Sequence, residues 1–207
     1  MATIVLLTLL TAIVGVGCST PASETSPVTS VTETTATSSS QLEPIIVPTM
    51  PNIIPGYLEI DPDTELHMTG KPTVVDFDNY QLKVGGLVDQ ELNLTYDEIR
   101  LLPKLTASPQ LVCQGFFVDI ATWSGASLDS ILEMAKMRPE ATSITLTSAD
   151  GYKTNVSLEI ALNPNNFLAY KLAGETLPVL HGFPIRAVFP GQDGYYWVKW
   201  LIEIEVK

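Results

Sequence analysis

The chain has 207 residues, a hydrophobic content of 45% and a formal net charge of -12 at pH 7. Such a length suits one domain with a full core plus flanking segments. The acidic balance excludes a phosphate-backbone partner, which needs a basic face, so no nucleic acid is expected.

The first seventeen residues, MATIVLLTLLTAIVGVG, form an apolar run shorter than the ~20 residues of a membrane-spanning helix. The run has the length of a signal-peptide core. Small residues lead into Cys18 in GVGC, which resembles a bacterial lipobox. Residues 1–18 are therefore expected to be a signal peptide, with Cys18 lipid-modified; an ordinary signal peptide with an incidental cysteine is the other reading. A multiply acylated Cys18 would anchor the protein to a membrane. Residues 19–52, rich in Ser, Thr and Pro, read as a disordered tether. Residues 53–74, apolar but broken by prolines, read as an extended linker, free or laid over the domain. Residues 75–207 read as the compact domain.

Within that domain YQLKVGGLV alternates and turns at Gly85-Gly86, as a strand would. LTYDEIRLL opens with Thr95 and has Glu98 three residues later, a capping-box signature for a short helix. SLDSILEMA puts Leu128, Ile131, Leu132 and Ala135 at helical spacing, with Ser127 as N-cap. SITLTSADGYKTNVS predicts two strands joined at Asp150-Gly151. SLEIAL predicts a helical turn, and FLAYKLAGETLPVL predicts strand, glycine turn, strand. In YWVKWLIEIEV, Val198, Trp200, Ile202, Ile204 and Val206 share one face, opposite Lys199, Glu203 and Glu205. The fold class is strand-rich α+β.

Two cysteines are present, and with Cys18 in the targeting segment no intramolecular disulfide is expected. Cys113, in LVCQGFF, is either a soft metal ligand and nucleophile or a small buried hydrophobe. The stretch HGFPIR places His181 and Arg186 in an apolar setting, where an unpaired charge is costly. The Arg186 fork suits either a phosphate or a partner carboxylate. Lys199 reads as a solvent-facing charge or a further anion contact. Dinucleotide, P-loop, zincin and serine-hydrolase motifs are missing. His67 and His181 are the only histidines, too few with Cys113 for a zinc site. A Cys113–His181 hydrolase has no local signature to support it.

Taken together, LVCQGFF, WSGASLDSIL, SADGY, FLAYKLAGETLPVLHGFPIRAVFPG and WVKWLIEIEV resemble the molybdopterin-binding domain of the sulfite oxidase family, including bacterial sulfoxide-reductase-type subunits. The resemblance covers roughly residues 75–207. It implies a sulfite-oxidase-type mixed fold with short helices and a molybdenum–molybdopterin cofactor. It implies that Cys113 ligates molybdenum and that His181, Arg186 and Lys199 contact the pterin and its phosphate. It places Tyr170, in LAY, near the metal's oxo face. Asn165 and Asn166 stand just before FLAY, where many relatives carry an acidic residue. The implied reaction is oxygen-atom transfer to or from a small substrate, a sulfoxide, sulfite or similar. The implied partners are a small oxo donor or acceptor, a membrane through the lipid anchor, and a separate haem or quinone-linked electron carrier. The implied location is extracytoplasmic, on a bacterial or archaeal cell membrane. The alternative is a cofactor-free surface lipoprotein that uses the same fold as a binding module.

Overall fold

The computed structural model describes residues 42–207. The expected signal peptide, Cys18 and the tether as far as residue 41 lie outside the described residues.

The elements run in chain order as follows. β1 (Gln81–Gly86) and β2 (Leu92–Thr95) precede α1 (Tyr96–Arg100) and β3 (Lys104–Ala107). A hairpin of β4 (Gln110–Cys113) and β5 (Phe117–Ile120) leads to β6 (Trp123–Ser127) and α2 (Leu128–Met134). β7 (Ser143–Ser148), β8 (Lys153–Ser157) and α3 (Leu158–Ala161) come next. β9 (Phe167–Leu172), β10 (Glu175–Thr176), β11 (Arg186–Val188) and β12 (Leu201–Val206) complete the chain. One sheet has the order β2-β1-β12-β7-β8, with β1 and β12 parallel and the other pairs antiparallel. The second has the order β10-β9-β6-β3, with β11 also on β9. This is the strand-rich α+β architecture expected from the sequence.

Local chemistry explains the short helices. At α1 the Thr95 hydroxyl accepts from the Glu98 N–H at 3.3 Å, while the Glu98 carboxylate accepts from the Thr95 N–H at 2.8 Å. This is the predicted capping box. Ser127 caps α2 by accepting from the Ser130 N–H at 3.3 Å. The predicted α2 stripe of Leu128, Ile131, Leu132 and Ala135 is fully buried. β6 and β9 approach so closely that a side chain at Gly125 would run into the Leu168 carbonyl. Asn166 stays buried because its amide donates to the Ile160 and Ala161 carbonyls at 2.7 and 3.1 Å, closing the end of α3. A carboxylate there could not donate those bonds.

Two segments depart from the expected course. Between Leu58 and Met68 the chain folds back on itself instead of running extended. Leu58 N–H donates to Met68 O, and Met68 N–H to Glu59 O, both at 2.8 Å. Leu66 and Met68 bury their side chains, stabilising the docked segment by roughly 1.5–3 kcal/mol each. The C-terminal strand begins only at Leu201. Trp200 takes φ +48°, and the register with β7 shifts between Leu201 and Glu203. The expected unbroken alternation from Val198 to Val206 is interrupted there.

Candidate functional site

Cys113 ends β4 and faces Phe117 across the hairpin. Gly115 supplies the turn at φ +80°, and Phe116 N–H donates to Cys113 O at 3.0 Å. The thiol is half-buried. Burial raises its pKa, and the carboxylates of Asp119 and Asp193 raise it further. The free group is therefore a thiol, and metal coordination would be needed to deprotonate it. Gln114 Nε2 donates to Asp193 Oδ1 at 2.8 Å, and a bridge joins Val112 to Asp193. These ties set the hairpin beside the 3₁₀ turn Gly194–Tyr196, from which the chain runs through Trp197 to Trp200.

Lys199 does not face solvent, as its place in the alternation suggested. It is 7% exposed, and its Nζ donates to Thr69 O at 2.8 Å and Leu180 O at 3.0 Å. The positive φ at Trp200 turns the chain at this point, and Nζ lies 5.3 Å from the Trp200 ring centre. Burial, then the Arg186 charge, hold the ammonium well below its ordinary pKa.

Arg186 opens β11 and is 2% exposed. Among the described residues no carboxylate forms an ion pair with it. Its Nη1 donates to His181 O at 3.4 Å, longer than an ordinary hydrogen bond, and its Nε has no partner. Its guanidinium lies 4.8 Å from the Trp123 ring centre and 5.7 Å from that of Trp197. Burial lowers its pKa to about 10. Gly182, at φ +114°, lets the two cations come together: a Cβ there would stand 3.1 Å from Lys199 Cα and 3.2 Å from Arg186 Cβ.

Cys113, Arg186 and Lys199 line one cavity of about 260 Å³, with Phe117, Asp150 and Trp197 among its walls. That volume is just under the ~300–1,000 Å³ of small-molecule sites. Phe117 walls the cavity without closing it and stacks on His67 at 4.3 Å, while Phe116 points to solvent. His67 Nδ1 pairs with Asp119 Oδ1 at 2.7 Å.

His181 and Tyr170 are not among the residues that line this cavity. His181 Nε2 lies 2.8 Å from Asp61 Oδ2 and 2.7 Å from Thr64 Oγ1. Burial, then the charges of Lys199 and Arg186, lower the imidazole to about 4, while Asp61 pulls it the other way. The ring is neutral at pH 7. Burial opposes ionisation of Asp61, but hydrogen bonds with His181, the Asp63 N–H and Thr64 hold its carboxyl below the usual range. Tyr170 packs edge-on to Tyr96 in the core, with 6.3 Å between ring centres, and burial raises its hydroxyl pKa. Asp61, Thr64 and Thr69 carried no signal in the sequence. They lie in the stretch that reads as a linker, up to 130 residues from their partners.

A buried guanidinium with an orphaned donor, beside a buried ammonium, is costly in a site meant to be dry of ligands. It fits a phosphate-bearing anion. A thiol on the same cavity supplies a soft ligand for a metal carried by that anion.

Comparison with known proteins agrees with this chemistry. A family model described as "Oxidoreductase molybdopterin binding domain" matches residues 68–207. The uncharacterized oxidoreductase YuiH of Bacillus subtilis is 33% identical over 143 residues, covering 68% of this chain and 71% of that protein. A putative protein-methionine-sulfoxide reductase subunit, YedZ1, of Azospira oryzae is 30% identical, covering 61% of this chain and 48% of its own length. The sulfite oxidase of Arabidopsis thaliana is 31% identical, covering 65% of this chain and 44% of its own. The chain thus spans less than half of the latter two relatives. Among solved structures, the sulfane dehydrogenase SoxCD of Paracoccus pantotrophus shares the fold, with a TM-score of 0.63 at 22% identity. The alignment covers 74% of this chain and 44% of that one.

Proposed function

From the premise that the chain belongs to the oxidoreductase molybdopterin-binding domain family, we propose that it uses a molybdenum–molybdopterin cofactor for oxygen-atom transfer on a small substrate. The observation that carries this reading is Arg186: a buried cation with an unpartnered Nε, beside Lys199 and on the same cavity as Cys113. Arg186 and Lys199 would hold the cofactor's phosphate, and the Cys113 sulfur would ligate the metal. When bound, the cofactor supplies two-electron oxygen-atom transfer, in which XO, two protons and two electrons become X and water, or the reverse.

The chain's own residues do the rest. Trp123 and Trp197 keep water from the guanidinium. His181, neutral and fixed by Asp61 and Thr64, holds its carbonyl toward Arg186 Nη1 and acts from behind the cavity wall. Tyr170 packs edge-on to Tyr96, away from the residues that line the cavity. Electrons would come from a separate haem or quinone-linked carrier. A lipid on Cys18 would anchor the domain outside the cytoplasm, with the substrate a sulfoxide, sulfite or similar.

The test is molybdenum per chain by elemental analysis, on protein made in a host that synthesises the cofactor. About one metal per chain is expected. Folded protein with metal near zero would overturn the reading in favour of a cofactor-free binding module.

A further inference from the structure

We propose that the outer face of the β4–β5 hairpin, formed by Phe116, Val118 and Ile120, is the docking surface for a basic, haem-bearing electron carrier. The inference rests on the cofactor reading above and goes further by placing the carrier's contact on this chain and assigning its charge.

The hairpin has two chemically distinct faces. Directly opposed residues of an antiparallel pair share a face, so Cys113 and Phe117 lie on one side and Val112 and Val118 on the other. On the inner side Cys113 and Phe117 line the cavity, and Asp119 pairs with the His67 ring. On the outer side Phe116, Val118 and Ile120 are 67%, 55% and 63% exposed. Their spacing of two sets them in one row. Among the described residues β4 and β5 form a two-stranded sheet of their own, and nothing covers that row.

The size of the row points to a transient partner. Three side chains exposed to this degree offer on the order of 300 Å² of apolar surface, the scale of patches that are often functional on a monomer. Doubled across an interface, roughly 600 Å² falls short of the ~1,200 Å² of a lasting complex and fits a weak redox encounter. A second copy of this chain is a poor occupant for that reason. It is also a poor one electrostatically, since each copy would carry a net charge of -12.

The same charge attracts a basic protein. No lysine or arginine lies between Lys104 and Lys136, so the hairpin sets no cation against such a partner. Gln114 holds the Asp193 carboxylate at the turn, at 2.8 Å. The exposed aromatic residue is also close to the metal ligand through bonds. Phe116 N–H donates to Cys113 O at 3.0 Å, so one hydrogen bond joins the docking face to the residue whose sulfur would hold the metal. Oxygen-atom transfer moves two electrons, and a haem iron carries one. Each turnover therefore takes two encounters: XO, two protons and two reduced carriers become X, water and two oxidised carriers, or the reverse.

The experiment uses full-length protein with its molybdenum content measured first. Two haem probes of opposite charge are compared, a basic c-type cytochrome and an acidic b-type cytochrome. Binding is read by nuclear magnetic resonance on the labelled chain. The basic probe should bind about tenfold more tightly at low salt and lose that advantage by about 0.2 M salt. Its shifts should centre on Phe116, Val118 and Ile120. Electron transfer is read without an oxo substrate, by reducing the protein with a viologen dye and following reduction of the oxidised basic probe, two haems per molybdenum. Phe116→Ser, Val118→Ser and Ile120→Ser together should slow that step about tenfold, the loss expected when the anchors of a small interface are truncated. Molybdenum content and the rate of reduction by the dye, which needs no docking face, should stay at wild-type values. Loaded protein that binds neither probe, that prefers the acidic one, or whose triple variant binds and reduces the basic probe as the wild type does would overturn this inference alone. A dimer in sedimentation that the triple variant loses would give the face to a second copy and overturn it as well. Molybdenum near zero would overturn the cofactor reading and this inference with it.

Discussion

Asp61 Oδ2 lies 2.8 Å from Nε2 of His181, across 120 residues of sequence. The pair links the docked segment before β1 to the 3₁₀ turn Val179–His181, which lies behind the residues that line the cavity. It also makes the fold acid-sensitive. The His181 pKa is depressed from an ordinary 6.5 to about 4 in the folded state. Between those values the unfolded chain binds a proton that the folded chain does not, so stability falls as pH drops from 6.5 toward 4. The 1% exposed ring makes this about 3 kcal/mol in all. Asp61, whose folded pKa is also lowered, adds to the loss once it is protonated. Urea denaturation of cofactor-free protein across this range should show the slope, and His181→Gln should flatten it. An equal slope in the variant would assign it to other groups.

Arg186→Met should separate stability from function. The native guanidinium is buried, lacks an ion pair and leaves Nε without a partner. An unpaired buried charge costs the fold its desolvation, so an apolar side chain of similar volume should stabilise it. The cofactor-free variant should melt higher than the wild type, and the same variant made in a cofactor-competent host should contain less molybdenum. A variant that melts lower and keeps full metal would show that the guanidinium serves the core.

What was legible in the sequence was local or period-bound. The Thr95–Glu98 box, the α2 stripe from Leu128 to Ala135 and the turn at Asp150-Gly151 all depend on residues a few positions apart. The chemistry of Cys113 and Arg186 was legible as residue type in an apolar setting, and their meeting at one cavity places them together. The alternation alone put Lys199 on the solvent side, because period 2 holds only while the backbone stays in the β region, and Trp200 leaves it at φ +48°. Asp61 and Thr64 were invisible for a different reason. A prolyl-broken segment has no period, and its value here lies in two hydrogen bonds to a residue more than a hundred positions away.

Cys113→Ser tests the metal ligand with little disturbance of the fold. The thiol is half-buried, so the change should stay within about 0.5 kcal/mol of wild-type stability. X-ray absorption at the molybdenum edge should show one sulfur ligand fewer than in the wild type, and oxygen-atom transfer should be lost. An unchanged sulfur count would remove Cys113 from the coordination sphere.

Gly182→Ala should damage the site more than the core. Gly182 sits at φ +114°, which an alanine adopts only at a cost of about 1–3 kcal/mol. Its new Cβ would press on Lys199 Cα and Arg186 Cβ, at 3.1 and 3.2 Å, and spread the two cations. The strain alone predicts a lower melting temperature. The spreading predicts something more: molybdenum content should fall further than in a variant destabilised equally at a remote position. Ile144→Val is a suitable control, since Ile144 is fully buried on β7 and does not line the cavity. Equal metal loss in the two variants, matched for stability, would mean that Gly182 serves the backbone alone. A larger loss in Gly182→Ala would tie the glycine to the spacing of Arg186 and Lys199.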